Sequence, residues 1–174
     1  RAKEYCQKPF DKFKGLQDSV QTIWSKSEKI SASYVSSFEE LKQTPRGAML
    51  FSGNSAHLSA IPDGSVDFVI TDPPYFDSIH YSELSNFFYV WLSVLVDSPY
   101  FKADHVPTEQ EAIVNTNMNK GEKEYTDLLL SVFRESGRVL KSDGKLIFTF
   151  HHTKWRAWWT VLTAIVESGF RVAD

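Results

Sequence analysis

Asp72-Pro73-Pro74-Tyr75 is the segment of this sequence best equipped for chemistry. Its two consecutive prolines fix φ and remove two backbone donors. Asp72 precedes a proline and is held extended. The outcome is a stiff turn that presents a carboxylate, unspent carbonyls and an aromatic plane together. Such a set suits a flat group with an exocyclic amine. Asp72 and a neighbouring carbonyl can accept both N–H bonds while the Tyr75 ring stacks on the plane. The same residues also make a rigid strand-to-helix turn with a surface tyrosine, so the surroundings must decide.

A second candidate is His151-His152, directly after the apolar run that ends at Phe150. His57, His80 and His105 add no ligand at metal spacing, so no metal is expected. The histidines read as ordinary loop residues, with His151 as a candidate to line a substrate pocket. Tyr81 lies just past the proline turn and is a candidate to face the same pocket. Gly53-Asn54-Ser55 is the third tight polar segment that follows an apolar run.

These segments need elements to position them. Residues 1–44 read as polar and helical, with Pro9 and Gly15 as breakers and a serine-rich linker over Ser31 to Ser37. Strands are expected at Ala48 to Phe51, Val66 to Ile70, Lys145 to Phe150 and from Phe170 to Val172. Ser55 to Ile61 reads as one or two helical turns. A helix is expected over 80–96, because Leu84, Phe87, Phe88, Trp91, Leu92 and Leu95 repeat on one face. Further helices are expected over 122–140 and 153–168, with Gly169 as a stop. Phe87, Phe88 and Trp91 are assigned to the core, as are Trp155, Trp158 and Trp159. The 97–119 connection is long enough to be either functional or disordered, and Lys120 to Lys123 reads as a solvated helix start. Near-continuous apolar strands alternating with helices predict an α/β fold with a mostly parallel sheet. In such sheets ligands sit beyond the carboxyl ends of strands, where all three polar segments fall.

The run Met49-Leu50-Phe51-Ser52-Gly53-Asn54-Ser55, then Ile61-Pro62-Asp63-Gly64-Ser65-Val66-Asp67-Phe68-Val69-Ile70-Thr71 and the proline turn, resembles amino-methyltransferases that use S-adenosylmethionine (SAM). Tyr81-Ser82-Glu83-Leu84-Ser85-Asn86-Phe87-Phe88-Tyr89-Val90-Trp91-Leu92 narrows this to a group of large adenine-specific DNA methylases whose N-terminal part is a domain of unknown function. Phe150-His151-His152, Trp155, Trp158 and Glu167-Ser168-Gly169-Phe170 also resemble that group. The resemblance spans residues 48–172. It implies a partial Rossmann-like class I methyltransferase fold in residues 47–174, after a helical segment or linker in 1–46.

The resemblance further implies that Asp72 and the Pro73 carbonyl hold the N6 amine of an adenine flipped out of DNA, with Tyr75 stacked on it. It makes Asp72, Pro73, Pro74 and Tyr75 the catalytic residues and Tyr75, Tyr81 and His151 the substrate-binding ones. SAM would be held by Gly53, Asn54 and Asp72. At the position of Asn54 the family commonly has Asp. Aspartate at the first motif position favours adenine N6 over cytosine N4. An RNA amino-methyltransferase and a non-catalytic nucleic-acid-binding module are the alternatives.

The cofactor half is thin in this sequence. Glycines stand at 15, 47, 53, 64, 121, 137, 144 and 169, so no G-x-G exists. Phe51-Ser52-Gly53-Asn54-Ser55 imitates a glycine-rich loop only in part. The expectation is therefore a fragment that carries the amine-holding half of a site. The remainder of the same polypeptide or a homo-oligomer would complete it. The opening Arg-Ala-Lys-Glu-Tyr agrees with an excised piece.

Composition bounds the rest. The chain has 174 residues, enough for one domain with a real core. Its 13 Phe, 7 Tyr and 5 Trp exclude disorder as the main state. A single cysteine, Cys6, excludes a disulfide scaffold and suits the cytoplasm. No apolar run approaches the ~20 residues of a membrane span, so no membrane partner is expected. Net charge is −3, which argues against a dedicated nucleic-acid coat protein but not against an enzyme that grips nucleic acid locally. Residues 1–46 hold nine basic and six acidic side chains, whereas 47–101 hold six acids and no Lys or Arg. Phosphate contacts would have to come from the flanks.

Overall fold

A computed structural model describes residues 32–173. The helical expectation for residues 1–31 lies outside the described residues, as does Cys6. The chain divides into two compact units, with the boundary between Gly53 and Asn54.

In the first unit, β1 (Ser33–Val35), α1 (Phe38–Gln43) and β2 (Gly47–Met49) form a small β-α-β element. The two strands are parallel, with Tyr34 opposite Ala48. The serine-rich stretch thus contains a strand. Ser37 caps α1 by accepting from the Glu40 amide at 3.2 Å, and the Glu40 carboxylate returns to the Ser36 amide at 2.9 Å. Arg46 takes a left-handed φ of 56° to turn the chain into β2.

The second unit opens with two hydrogen-bonded turns, Asn54 to His57 and Leu58 to Ile61, where helical turns were expected. It then contains β3 (Val66–Thr71), α2 (Tyr81–Leu95), α3 (Glu122–Val139), β4 (Leu140–Phe148) and α4 (Trp155–Glu167). Strands β3 and β4 are parallel neighbours. The fold is mixed α/β, with short parallel two-stranded sheets and flanking helices.

One face of the β3–β4 pair is covered. Leu146 and Phe148 pack on a core of Tyr125, Leu129, Phe133, Ala157, Val161, Ala164 and Ile165 from α3 and α4. The other face carries Phe68, Ile70 and Ile147 in the open, with Ile70 at 76 % exposure. The register explains how β4 starts early. Val66 lies opposite Leu140 but Phe68 lies opposite Lys145, so the expected Ser142-Asp143-Gly144 turn is looped out as a bulge inside the strand.

Several expectations are corrected. Phe170 to Val172 is not a strand. Gly169, at φ 95°, closes α4 with bonds from its own amide to Val166 O and from the Phe170 amide to Ile165 O. This C-terminal cap folds the Phe170 ring back onto the core. Trp155, Trp158 and Trp159 are exposed, because α4 turns its smaller residues Ala157, Thr160, Val161 and Ala164 inward. Lys120 is buried, at 8 % exposure, with its ammonium on the carbonyls of Thr108, Glu109 and Glu111.

The largest correction concerns α2. Its apolar stripe faces outward: Leu84, Phe87, Phe88, Trp91, Leu92 and Leu95 are all exposed, Phe87 at 64 %. The opposite, polar stripe is the anchored one. Ser82 binds Glu111 through its amide at 3.0 Å and its hydroxyl at 2.5 Å. Glu83 accepts from Asn115 at 2.7 Å, Asn86 accepts from the Val106 amide and Tyr89 donates to Ala103 O at 2.8 Å. All four partners lie in the 97–119 connection. That connection is therefore ordered, with three 3₁₀ turns and a buried Ile113. Among the described residues no helix is long and apolar enough to cross a membrane.

Candidate active site

The parallel register builds the site. Thr71 is the last residue of β3 and lies opposite Phe148, the last of β4. The Thr149 amide extends the ladder by one bond, to Thr71 O at 3.2 Å. Asp72 and Thr149 thus leave the sheet side by side at its carboxyl edge. The Asp72 Oδ1 atom accepts the Tyr75 hydroxyl at 2.6 Å and the Thr149 hydroxyl as well. These two donors, Thr149 first, hold the Asp72 carboxyl below its ordinary range. Tyr75 moves the other way. Its phenol is raised because it donates to that carboxylate, and the neighbouring Tyr81 adds to the effect.

The proline turn is held from beneath by α3. Tyr125 is fully buried. Its hydroxyl donates to Pro74 O at 2.7 Å and accepts from the Phe76 amide at 3.4 Å, so it brackets Tyr75 on both sides. Burial pushes its phenol up to about 12. Phe76 sits at φ 54°, a left-handed conformation that costs a bulky residue roughly 1–3 kcal/mol. Its buried ring packs edge-on against Tyr125, and its carbonyl takes the Val114 amide at 2.8 Å. Among the described residues no hydrogen bond reaches the Pro73 carbonyl.

Aromatic rings line the outer side. Tyr75 meets Phe150 edge-on at 5.3 Å, and Phe150 meets Trp158 edge-on at 5.0 Å. His152 stacks near Phe150 and edges onto Phe76. Its side chain is nearly buried. Nδ1 accepts the Lys154 amide at 3.0 Å, so Nε2 carries the proton donated to Asp77 Oδ1 at 2.9 Å. Lys154 binds the other Asp77 oxygen at 2.5 Å and, with His152, holds that carboxyl below its usual range. The segment before α2 is thereby tied to the segment between β4 and α4.

The predicted residues divide. Asp72, Pro73, Pro74 and Tyr75 form one continuous cluster, and Tyr81, half exposed at the first turn of α2, lies close to it. His151 is exposed and makes no hydrogen bond among the described residues. Asn54 is engaged elsewhere: Oδ1 accepts the Ala56 amide at 2.9 Å and Nδ2 donates to Gln110 at 3.0 Å. Gly53 belongs to the first unit, where an added Cβ would meet only the Phe51 ring, at 3.7 Å. No group of three metal-ligating side chains occurs among the described residues. Thr149, Tyr125 and Asp77 escaped the sequence reading. Only strand register pairs Thr149 with Asp72, and Tyr125 looked like one more apolar helix position.

No family model, curated protein or solved structure matches this chain. The functional reading therefore stands on the site itself.

Proposed function

We propose that this chain carries the amine-holding half of a methyltransferase site for the N6 amine of adenine in DNA. Its α/β unit would then be part of a Rossmann-like, SAM-dependent domain. The observation that carries the reading is the Asp72 carboxylate. Its Oδ1 is taken by two hydroxyl donors and its Oδ2 is left as an acceptor on an exposed residue; Pro73, which follows it, is buried, and its carbonyl makes no hydrogen bond among the described residues.

An exocyclic amine offers two N–H bonds, one for each acceptor. Holding both fixes the amine in one orientation, which is a large share of what such a site must contribute. Tyr75 and Phe150 offer apolar rings beside it for a base that has left the stack. A base with a carbonyl in place of the amine would set oxygen against oxygen.

SAM would supply the methyl group. Asp72 supports the amine, and Asn54 gives less support to this cofactor. Both ends of the Asn54 amide are spent, on the Ala56 amide and on Gln110. That weaker support favours, as a second reading, a methylase-like module that binds nucleic acid without transfer.

Single-stranded oligonucleotides with one dA or one dI separate these readings. A preference for dA of about tenfold or more, from hydrogen bonds to a charged acceptor, should vanish in Asp72→Ala. Labelled methyl from SAM should enter DNA with wild-type protein and not with Asp72→Ala. Transfer that persists in Asp72→Ala would overturn the assignment. Label in RNA alone would change the substrate, and dA preference without transfer would favour the binding module.

A further inference from the structure

We infer that Thr149 is a positioning residue for Asp72: by donating to Oδ1 it keeps Oδ2 turned outward as a pure acceptor, which selects an amino edge over a carbonyl edge. This rests on the reading of Asp72 as the amine clamp.

The placement comes from the sheet. The two residues follow the last paired positions of adjacent parallel strands, Thr71 and Phe148, and the Thr149 amide is bonded into the ladder. Thr149 is β-branched, so its χ1 is restricted once its backbone is fixed. Its hydroxyl is thus a donor carried on a rigid strand end. Tyr75, the second donor on the same oxygen, sits instead on the proline turn and is the ring offered for stacking. If Tyr75 moves to meet a base, its bond to Asp72 is lost and the Thr149 bond remains.

Saturating one oxygen has a consequence for recognition. Two hydroxyl donors use both lone pairs of Oδ1. Rotation of the carboxylate would give up both bonds. Both bonds favour the ionised form, which carries no proton on Oδ2. The free oxygen therefore accepts and does not donate.

The test uses the full chain with Thr149→Val, which keeps the shape and the β-branch, and Thr149→Ser, which keeps the hydroxyl. The carboxyl resonance of ¹³C-labelled Asp72, assigned with Asp72→Asn, is followed through acid. The preference for dA over dI oligonucleotides is measured alongside. In Thr149→Val the resonance should titrate at higher pH and the preference should fall severalfold. Thr149→Ser should restore both, an outcome that loss of packing alone would not give. An Asp72 titration or a dA preference that is the same in Thr149→Val as in the wild type would overturn the inference. Wild-type protein with no dA preference would instead sink the amine-clamp reading, and the titration would still decide whether Thr149 holds the carboxylate.

Discussion

The buried hydroxyl of Tyr125 donates to the carbonyl of Pro74 at 2.7 Å, joining the middle of the second unit's core to the turn that carries Asp72 and Tyr75. The same oxygen accepts from the Phe76 amide. One side chain on α3 thus adds a second bond to each of two backbone groups of the turn, which also bond to each other at 3.1 Å. Tyr125→Phe keeps the ring and its edge contact with Phe76 and leaves the Phe76 amide and the Pro74 carbonyl only their bond to each other. It should cost roughly 0.5–1.5 kcal/mol, read as a lower urea midpoint with an unchanged slope. A loss below a few tenths would mean that the turn is held by its prolines alone.

Glu135 and Arg138 should make the turns before β3 acid-sensitive. Glu135 accepts the Leu58 amide at 2.6 Å, and Arg138 reaches Leu58 O and Ile61 O, both at 3.1 Å, and the Asp63 carboxylate. Arg138, then the Leu58 amide, lowers the Glu135 carboxyl from 4.5 to about 2. Its folded value is depressed, so the stabilisation is fully present above 4.5 and is lost as pH falls toward 2. Wild-type stability should drop across that window, whereas Glu135→Gln should start lower and change less. Parallel curves for the two proteins would show that the contact contributes nothing.

The outward stripe of α2 predicts an unusual mutational pattern. Phe87 and Phe133 are both phenylalanines at helical spacing, yet the first is exposed and the second is buried. Phe133→Ala should cost about 3–5 kcal/mol through the cavity it leaves. Phe87→Ser should change stability by no more than about 0.5 kcal/mol. Equal losses at the two sites, measured by thermal melting, would mean that the α2 stripe is covered in solution.

This pair also shows where the sequence stops being legible. Strand β3 and helices α2, α3 and α4 could be placed from apolar runs, periodicity and turn residues, because those are local signals. The face that α2 buries is not local. It is decided by Glu111, Asn115, Ala103 and the Val106 amide, which the chain brings to the polar stripe from a stretch with no periodicity. The same holds for the site. The prolines mark the turn, but neither the left-handed Phe76 nor the alignment of Thr149 with Asp72 has a sequence signature. Lys120 was misread for a related reason. A lysine beside Gly121 looks like a solvated helix start until three carbonyls converge on it.

That convergence makes Lys120 the staple of the 97–119 connection. Lys120→Met keeps the aliphatic stem and removes the donors, leaving the Glu109 carbonyl without a partner among the described residues and those of Thr108 and Glu111 with one backbone donor each. A global loss of roughly 1–3 kcal/mol is expected. Amide exchange should quicken first at Val114, which lies in the connection and donates to Phe76 O, and at Ser82, which donates to Glu111. Unchanged exchange at both amides would show that the connection is held by its 3₁₀ turns alone.

The bulge in β4 links strand chemistry to the site. Ser142-Asp143-Gly144 is accommodated without a partner on β3, and this excess brings Lys145 opposite Phe68 and Phe148 opposite Thr71. The looped-out path is tight at Gly144. A Cβ there would lie 2.9 Å from Leu140 Cδ2, 3.0 Å from Lys141 O and 3.1 Å from Lys141 N. The leucine end can swing aside, but the backbone of Lys141 can give only by shifting the bulge. Gly144→Ala should therefore cost about 1–3 kcal/mol as overpacking. A shift in the bulge bears on Thr149, because Lys145 to Phe148 between them are paired in register with Phe68 to Thr71. The Asp72 carboxyl should then titrate at higher pH in Gly144→Ala, although the substitution lies far along the strand. A stability loss with an unmoved Asp72 titration would mean that the bulge absorbs the strain and that the register beyond Lys145 is set by β3 alone.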